Sequence, residues 1–451
     1  MSSANGQSAD GARASTTNTH VRSVTAIGEV FGDGEKYTAL AIEYDKAIDA
    51  SKLSATAYSV AGRTIQKVYT NTAPARASKG VGGNYVVIEL SADDATAGVY
   101  GGGPGRPGGT GGMGNRAMQG GPGGPGGPPD GQASGPRPPM GMGGAPGKPA
   151  RVSVAQVGDV VTATGEKYSG SAALFENDKT LQLVVDDFKQ FAFKDPATGL
   201  SLPYNLFIPK NYDPKKSYPL VLFMHDASVT GAETTRTLTQ GLGAVIWATP
   251  AEQAKHPALV LAPAFGPGFG TESATGDASA DTVVHLLNSV TSQYNVDKNR
   301  IYTTGQSFGC MLSLAIMIRY PDLFAASMLV AGQRDAQATS VLLHNRMWII
   351  VAEGDTRAFP GMNDSVAVWK KDGVKVSEAT WNARLSDAEL TAEAKKMTAE
   401  GNNIKYATFL KGTVFPPGKE GGMEHMATWP VAYRITGVRD WLFAQSKGAA
   451  K

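Results

Sequence analysis

Residues Arg300 to Leu312 run from an apolar strand pattern through Gly305-Gln306-Ser307-Phe308-Gly309 into a helical one, with Met311, Leu312, Ala315, Ile316 and Ile318 at helix spacing. A strand-to-helix turn this sharp holds its serine in strained backbone geometry with Oγ exposed, ready to act as a nucleophile. Gly305 and Gly309 keep side chains out of the neighbouring strand and helix. Phe308, the residue after the serine, offers its backbone N–H at a helix N-terminus, where a developing oxyanion is stabilised. Gly-x-Ser-x-Gly alone is a weak signal in a chain with 55 glycines; the strand before it and the helix after it carry the reading.

A serine hydroxyl is a poor nucleophile until a base takes its proton, and that base is usually a histidine oriented by a carboxylate. Where such a serine sits on a strand-to-helix turn, the partners follow it in the order acid, then histidine. The chain has six histidines, and only His344 and His425 follow Ser307. His344 precedes the strand that should carry the acid. His425 follows the last strand, in a segment expected to be a loop. For the acid, Asp355 stands just past the apolar run Trp348–Ala352, with Gly354 allowing a sharp turn, and the ends of such strands are where reacting groups collect. Glu353 is the rival, expected to be a strand-end residue.

The second oxyanion donor should come from the loop after the third strand of the sheet, here His225-Asp226-Ala227-Ser228, through the backbone N–H of Asp226 or Ala227. A carboxylate facing the oxyanion would oppose the reaction, so the Asp226 side chain should turn away, toward loop amides. His225 precedes the nucleophile and is expected to orient this loop. Gln306, Trp429, Phe265 and Phe269 are candidate substrate-binding residues, each with packing as the alternative. Trp247 should pack a helix on the sheet.

The elements that must position these groups begin near Phe188. Strands and helices alternate from there to about residue 446. Runs such as Leu220–Met224 and Trp348–Val351 are apolar without alternation, as in parallel strands buried on both faces. The charged helix over Ser386–Glu400 is expected to be peripheral, with a cap as the alternative. Residues 21–187 read differently, as short strands separated by turn residues, which predicts a small all-β sandwich. That domain is interrupted at 101–150, where 21 of 50 residues are Gly and 11 are Pro; such a segment builds no core and is expected to be a flexible surface insertion. Residues 1–20 are expected to be a disordered N-terminus.

The totals exclude several classes. A net charge of +2 with no basic block gives no electrostatic footprint for nucleic acid. No apolar run is long enough for a membrane span. The single cysteine, Cys310, excludes an internal disulfide framework and should be buried behind Ser307. The first twenty residues lack an apolar signal-peptide core, which fits a cytoplasmic protein or a mature chain with an added Met1. The oligomeric state is not encoded in any motif.

Several longer segments resemble the α/β-hydrolase esterases that carry an N-terminal immunoglobulin-like domain, a group allied to putative prolyl-oligopeptidase-type peptidases and to polyhydroxybutyrate-depolymerase-like enzymes. In the first domain the resemblance lies in Val30–Gly34, Ile42–Asp45 and Arg63–Tyr69. In the second it lies in Leu202–Pro209, Tyr218–His225, Asn299–Ser307, Tyr320–Phe324, Glu424-His425 and Trp429. It implies an α/β-hydrolase catalytic domain hydrolysing carboxylic esters through Ser307, Asp355 and His425, with no metal and no organic cofactor. It also implies a secreted or periplasmic protein. His225-Asp226 stands where the group usually has His-Gly. A peptidase using the same three residues, and a binding protein with a degenerate hydrolase domain, are the alternatives.

Overall fold

Nine strands between Phe188 and Phe409 lie side by side in one sheet. The computed structural model describes residues 19–100, 148–267, 269, 278–418 and 420–448, and groups them into two units. The disorder expected for 1–20 and the flexibility expected for 101–150 concern segments that lie almost wholly outside the described residues.

The first unit comprises the described residues up to Glu29 with Glu35–Val99 and Pro149–Leu183. A five-stranded sheet orders Lys179–Gln182, Val21–Phe31, Gly34–Ile48, Gly83–Leu90 and Ile65–Asn71. A three-stranded sheet orders Tyr58–Val60, Ser153–Gln156 and Leu174–Glu176. Alternation along the strands buries Ile27, Ala39, Ala41, Tyr69 and Val87 in one cluster. A buried polar link joins the two sheets: the Tyr44 hydroxyl donates to Gln156 Oε1 at 2.8 Å and lies 3.0 Å from the Tyr58 hydroxyl. The result is the β sandwich that the spacing of strands and turns predicts.

The second unit holds the nine-stranded sheet. Its strands are β1 (Phe188–Lys194), β2 (Ser201–Phe207), β3 (Tyr218–Met224), β4 (Leu259–Pro263), β5 (Val296–Gln306), β6 (Ala326–Val330), β7 (Met347–Ala352), β8 (Val376–Trp381) and β9 (Ile404–Phe409). Their order is β1-β2-β4-β3-β5-β6-β7-β9-β8, with β2 antiparallel to both neighbours and the strands from β4 to β8 in that order all parallel. The longer helices are α1 (Pro250–Lys255), α2 (Ala278–Gln293), α3 (Phe308–Arg319), α4 (Ala358–Lys371), α5 (Asp387–Ala399), α6 (Glu424–Ala432) and α7 (Thr436–Phe443).

Apolar residues on both faces of the central strands demand helices on both sides. Along β3, Leu220, Leu222 and Met224 join a core with α2, α3 and α4, while Val221 and Phe223 join one with Trp247, α5, α6 and α7. Trp247 packs in this second core as expected, and its indole N–H donates to Gly243 O at 2.8 Å. The charged helix α5 is peripheral, not a cap. Its capping box of Ser386 and Glu389 starts it, and it lays Leu390, Ala394 and Met397 on the core.

Candidate active site

Strand β5 ends at Gln306, helix α3 begins at Phe308, and Ser307 alone makes the turn between them with φ 50° and ψ −117°. A non-glycine residue held there costs of order 1–3 kcal/mol, which the surrounding packing must supply. The two glycines explain how the turn stays so tight. A Cβ on Gly309 would lie 2.0 Å from Met224 O at the end of β3, and one on Gly305 would lie 2.5 Å from the Gly309 carbonyl carbon. Cys310 is buried just behind, and burial pushes its thiol up to about 12, so it is an inert packing group.

The structure brings Ser307, His425 and Asp355 together. His425 Nε2 is 2.8 Å from Ser307 Oγ, and His425 Nδ1 is 2.5 Å from Asp355 Oδ2. The other Asp355 oxygen, Oδ1, accepts from the N–H groups of Arg357 and Ala358 at 3.0 and 2.9 Å, at the start of α4. Burial opposes ionisation of Asp355. The hydrogen bond and charge of His425 and the two N–H groups outweigh it and hold the carboxyl below its usual range. His425 differs from expectation in one respect. It stands in the first turn of α6 rather than in a loop, and Trp429, one turn on, meets its ring edge-on at 5.5 Å.

The rivals are occupied elsewhere. Glu353 accepts from the hydroxyls of Thr380 and Thr408 and from Lys411 N–H, tying together the ends of the last strands. His344 precedes β7, at the opposite end of the parallel sheet from Ser307.

The two segments expected to supply oxyanion donors each open a helical turn. Phe308 opens α3 and Ala227 opens the short turn Ala227–Val229, so their N–H groups have no partner within their own helical turns. Asp226 caps that turn: its Oδ1 accepts from Ser228 N–H at 2.8 Å and its Oδ2 from Gln306 Nε2 at 2.8 Å. Its carboxylate is thereby spent on loop and elbow. His225 orients the same loop. Its Nε2 accepts the Phe265 N–H at 2.9 Å, so Nδ1 carries the proton and donates to Asp226 O at 2.6 Å. Burial pushes its pKa below the usual histidine range, in keeping with a neutral ring.

Of the four candidate substrate residues, three are buried rather than set on a cleft wall. Gln306 is 1% exposed and its amide braces the Asp226 carboxylate. Trp429 is 2% exposed and backs His425. Phe265 is also buried, packed 4.7 Å from the His225 ring and 5.7 Å from Phe308. The half-buried rings of Phe308 and Phe269 complete this aromatic group.

Glu424 was given no role by residue type alone. Its Oε2 accepts Gly354 N–H at 2.9 Å and its Oε1 accepts Gly412 N–H at 2.8 Å. It therefore joins the turn before Asp355 to the segment after β9, from the position next to His425. Gly354 is needed for this approach, since a Cβ there would lie 2.1 Å from the Glu424 carboxyl carbon, and not for a left-handed turn. The pairing of Gly354-Asp355 with Glu424-His425 was the available signal.

Among known proteins, residues 23–169 match the family of esterase immunoglobulin-like N-terminal domains, and residues 202–390 match the esterase PHB depolymerase family. A solved thermostable esterase superposes with a TM-score of 0.73 at 27% identity, covering 95% of this chain and all of the other. Acetylxylan esterase A of Emericella nidulans is 35% identical over 57 residues, 13% of this chain and 19% of that protein. Poly(3-hydroxyalkanoate) depolymerase C of Paucimonas lemoignei is 25% identical over 156 residues, 34% of each chain. The chain thus spans about a fifth to a third of the length of these two relatives. No described helix is long and apolar enough to cross a membrane.

Proposed function

We propose, for a chain that belongs to the esterases pairing an immunoglobulin-like N-terminal domain with a PHB depolymerase-type esterase domain, that it hydrolyses carboxylic esters through an acyl-enzyme on Ser307. The observation that carries this reading is the continuous hydrogen-bonded line from Ser307 Oγ through His425 to Asp355, with Ser307 on a strained turn at the head of a helix.

The chemistry follows from that geometry. Ser307 Oγ attacks the ester carbonyl while His425 Nε2 takes its proton. Asp355, held ionised, orients the ring through Nδ1 and stabilises the imidazolium. The N–H groups of Phe308 and of the Asp226–Ala227 turn receive the oxyanion, where preformed donors act without reorganisation. The imidazolium protonates the leaving alcohol, and water activated by the same ring releases the acid. Short to medium acyl groups are the proposed range. The names of the two relatives supply two polymeric esters to try, acetylated xylan and a polyhydroxyalkanoate. Action outside the cytoplasm is part of the same proposal.

Hydrolysis of p-nitrophenyl esters from acetate to dodecanoate, beside a Ser307→Ala control, tests it. Activity is expected to fall with chain length, and the control to lose on the order of a millionfold in kcat. A control within tenfold of the wild type, or no ester turned over and no labelling of Ser307 by a fluorophosphonate, would sink it.

A further inference from the structure

Away from the Ser307 line, one group of side chains gathers metal-binding donors that the proposed reaction does not use. Glu252 lies in α1 and His256 is its C-terminal cap, four residues on, so both side chains leave the same side of one turn. Asp440 comes from α7. One donor atom from each lies within 4.8 Å of the other two. His256 Nε2 is 3.1 Å from Asp440 Oδ1, and the ring stacks on Phe443 at 4.5 Å with 13° between planes, which fixes its direction.

Glu252 supplies the observation that points to a ligand. It is 3% exposed, and its Oε2 accepts from Arg439 Nε at 2.9 Å, while its buried Oε1 has no hydrogen-bond partner. A buried carboxylate oxygen without a donor is costly and uncommon. Arg439 does not relieve it, because its Nη1 donates to Tyr433 O and its Nη2 to Thr436 Oγ1. The remaining cation nearby, Lys255 Nζ, is 3.9 Å from Asp440 on a half-exposed side chain that is free to swing outward.

We propose that Glu252, His256 and Asp440 form a binding site for a divalent cation of the zinc class, with water completing the coordination. One imidazole nitrogen and two carboxylate oxygens are a donor set that such a borderline cation takes. Tetrahedral zinc, with bonds of about 2.0–2.2 Å, holds its donors about 3.4 Å apart, within small side-chain rotations of the present group. The ion would satisfy Glu252 Oε1 and fasten α1 to α7, whose Trp441, Leu442 and Phe443 lie in the core. Binding only to the folded chain, it stabilises by mass action.

The test takes the full chain, dialysed against a chelator, through calorimetric titration with zinc chloride and thermal unfolding with and without it. One zinc per chain is expected, with Tm raised by about 5 °C at a hundredfold excess over Kd. His256→Gln and Asp440→Asn change partly exposed side chains, so both should fold. Each should weaken zinc binding by about tenfold or more and lose the Tm shift. The proposal falls if the wild type takes up no zinc, or if both variants bind it with unchanged stoichiometry and affinity. Ester hydrolysis is not the readout, because zinc at the His425–Asp355 pair would alter it without touching this site.

Discussion

Glu424 concentrates at one side chain what the proposed reaction asks of its surroundings. The proposed acid and base, Asp355 and His425, come from segments 70 residues apart, and each must sit within a few tenths of an ångström of its partner. A carboxylate that accepts one N–H beside Asp355 and one after β9 holds both segments to the residue next to the base. Glu424→Ala leaves two amides without their acceptor and frees the Asp355 turn. A misplacement of about 1 Å at a reacting group costs about a hundredfold. We therefore expect kcat to fall by roughly that factor with KM little changed. Glu424→Gln, which keeps one acceptor oxygen, should lie between. Steady-state kinetics on p-nitrophenyl acetate decide: an alanine variant with unchanged kcat would mean that packing alone places Asp355. The signal for this clamp was present, but its meaning lay in a pairing across the chain that no local pattern encodes.

At the scale of elements, two glycines separate stability from catalysis. The obstacle to a Cβ at Gly309 is the backbone carbonyl of Met224, so Gly309→Ala must part β3 from α3. Overpacking of this kind costs about 1–3 kcal/mol or more. The obstacle at Gly354 is the end of the Glu424 side chain, which can move. Gly354→Ala should therefore match Glu424→Ala in kcat with a near-normal Tm, while Gly309→Ala should lose both activity and several degrees of Tm. Equal melting temperatures for the two would refute the distinction. The same scale explains which elements were legible. Buried central strands announce themselves as apolar runs. The two edge strands, β1 and β8, do not: Phe188–Lys194 and Val376–Trp381 face solvent along much of their length and carry Lys, Gln, Ser and Glu, so no apolar run marks them. The grouping of Ser307, Asp355 and His425 was legible because chain order and strand ends point to it. The helical setting of His425 was not, because Gly421 and Gly422 before it read as loop and Pro430 stands inside the helix.

For the whole molecule, the question is what the Gly/Pro-rich stretch contributes. Its flanks give an answer that does not depend on its own conformation. Ala150 N–H donates to Val99 O at 2.7 Å, and Val99 N–H donates to Glu35 O at 2.9 Å, so the chain leaves and re-enters the first unit at one place. The described flanks therefore already meet in the sandwich. Closing a loop costs free energy that grows as the logarithm of its length. Replacing 47 residues by a linker of about four should lower that cost by about 2 kcal/mol if the stretch is unstructured. The shortened chain should melt no lower than the wild type and hydrolyse p-nitrophenyl acetate at the same rate. Melting by circular dichroism together with that assay checks both. A drop in Tm would show that the stretch packs on the sandwich. A drop in kcat/KM at unchanged Tm would instead give it a part in reaching the substrate, and a polymeric ester would then be the place to measure the difference.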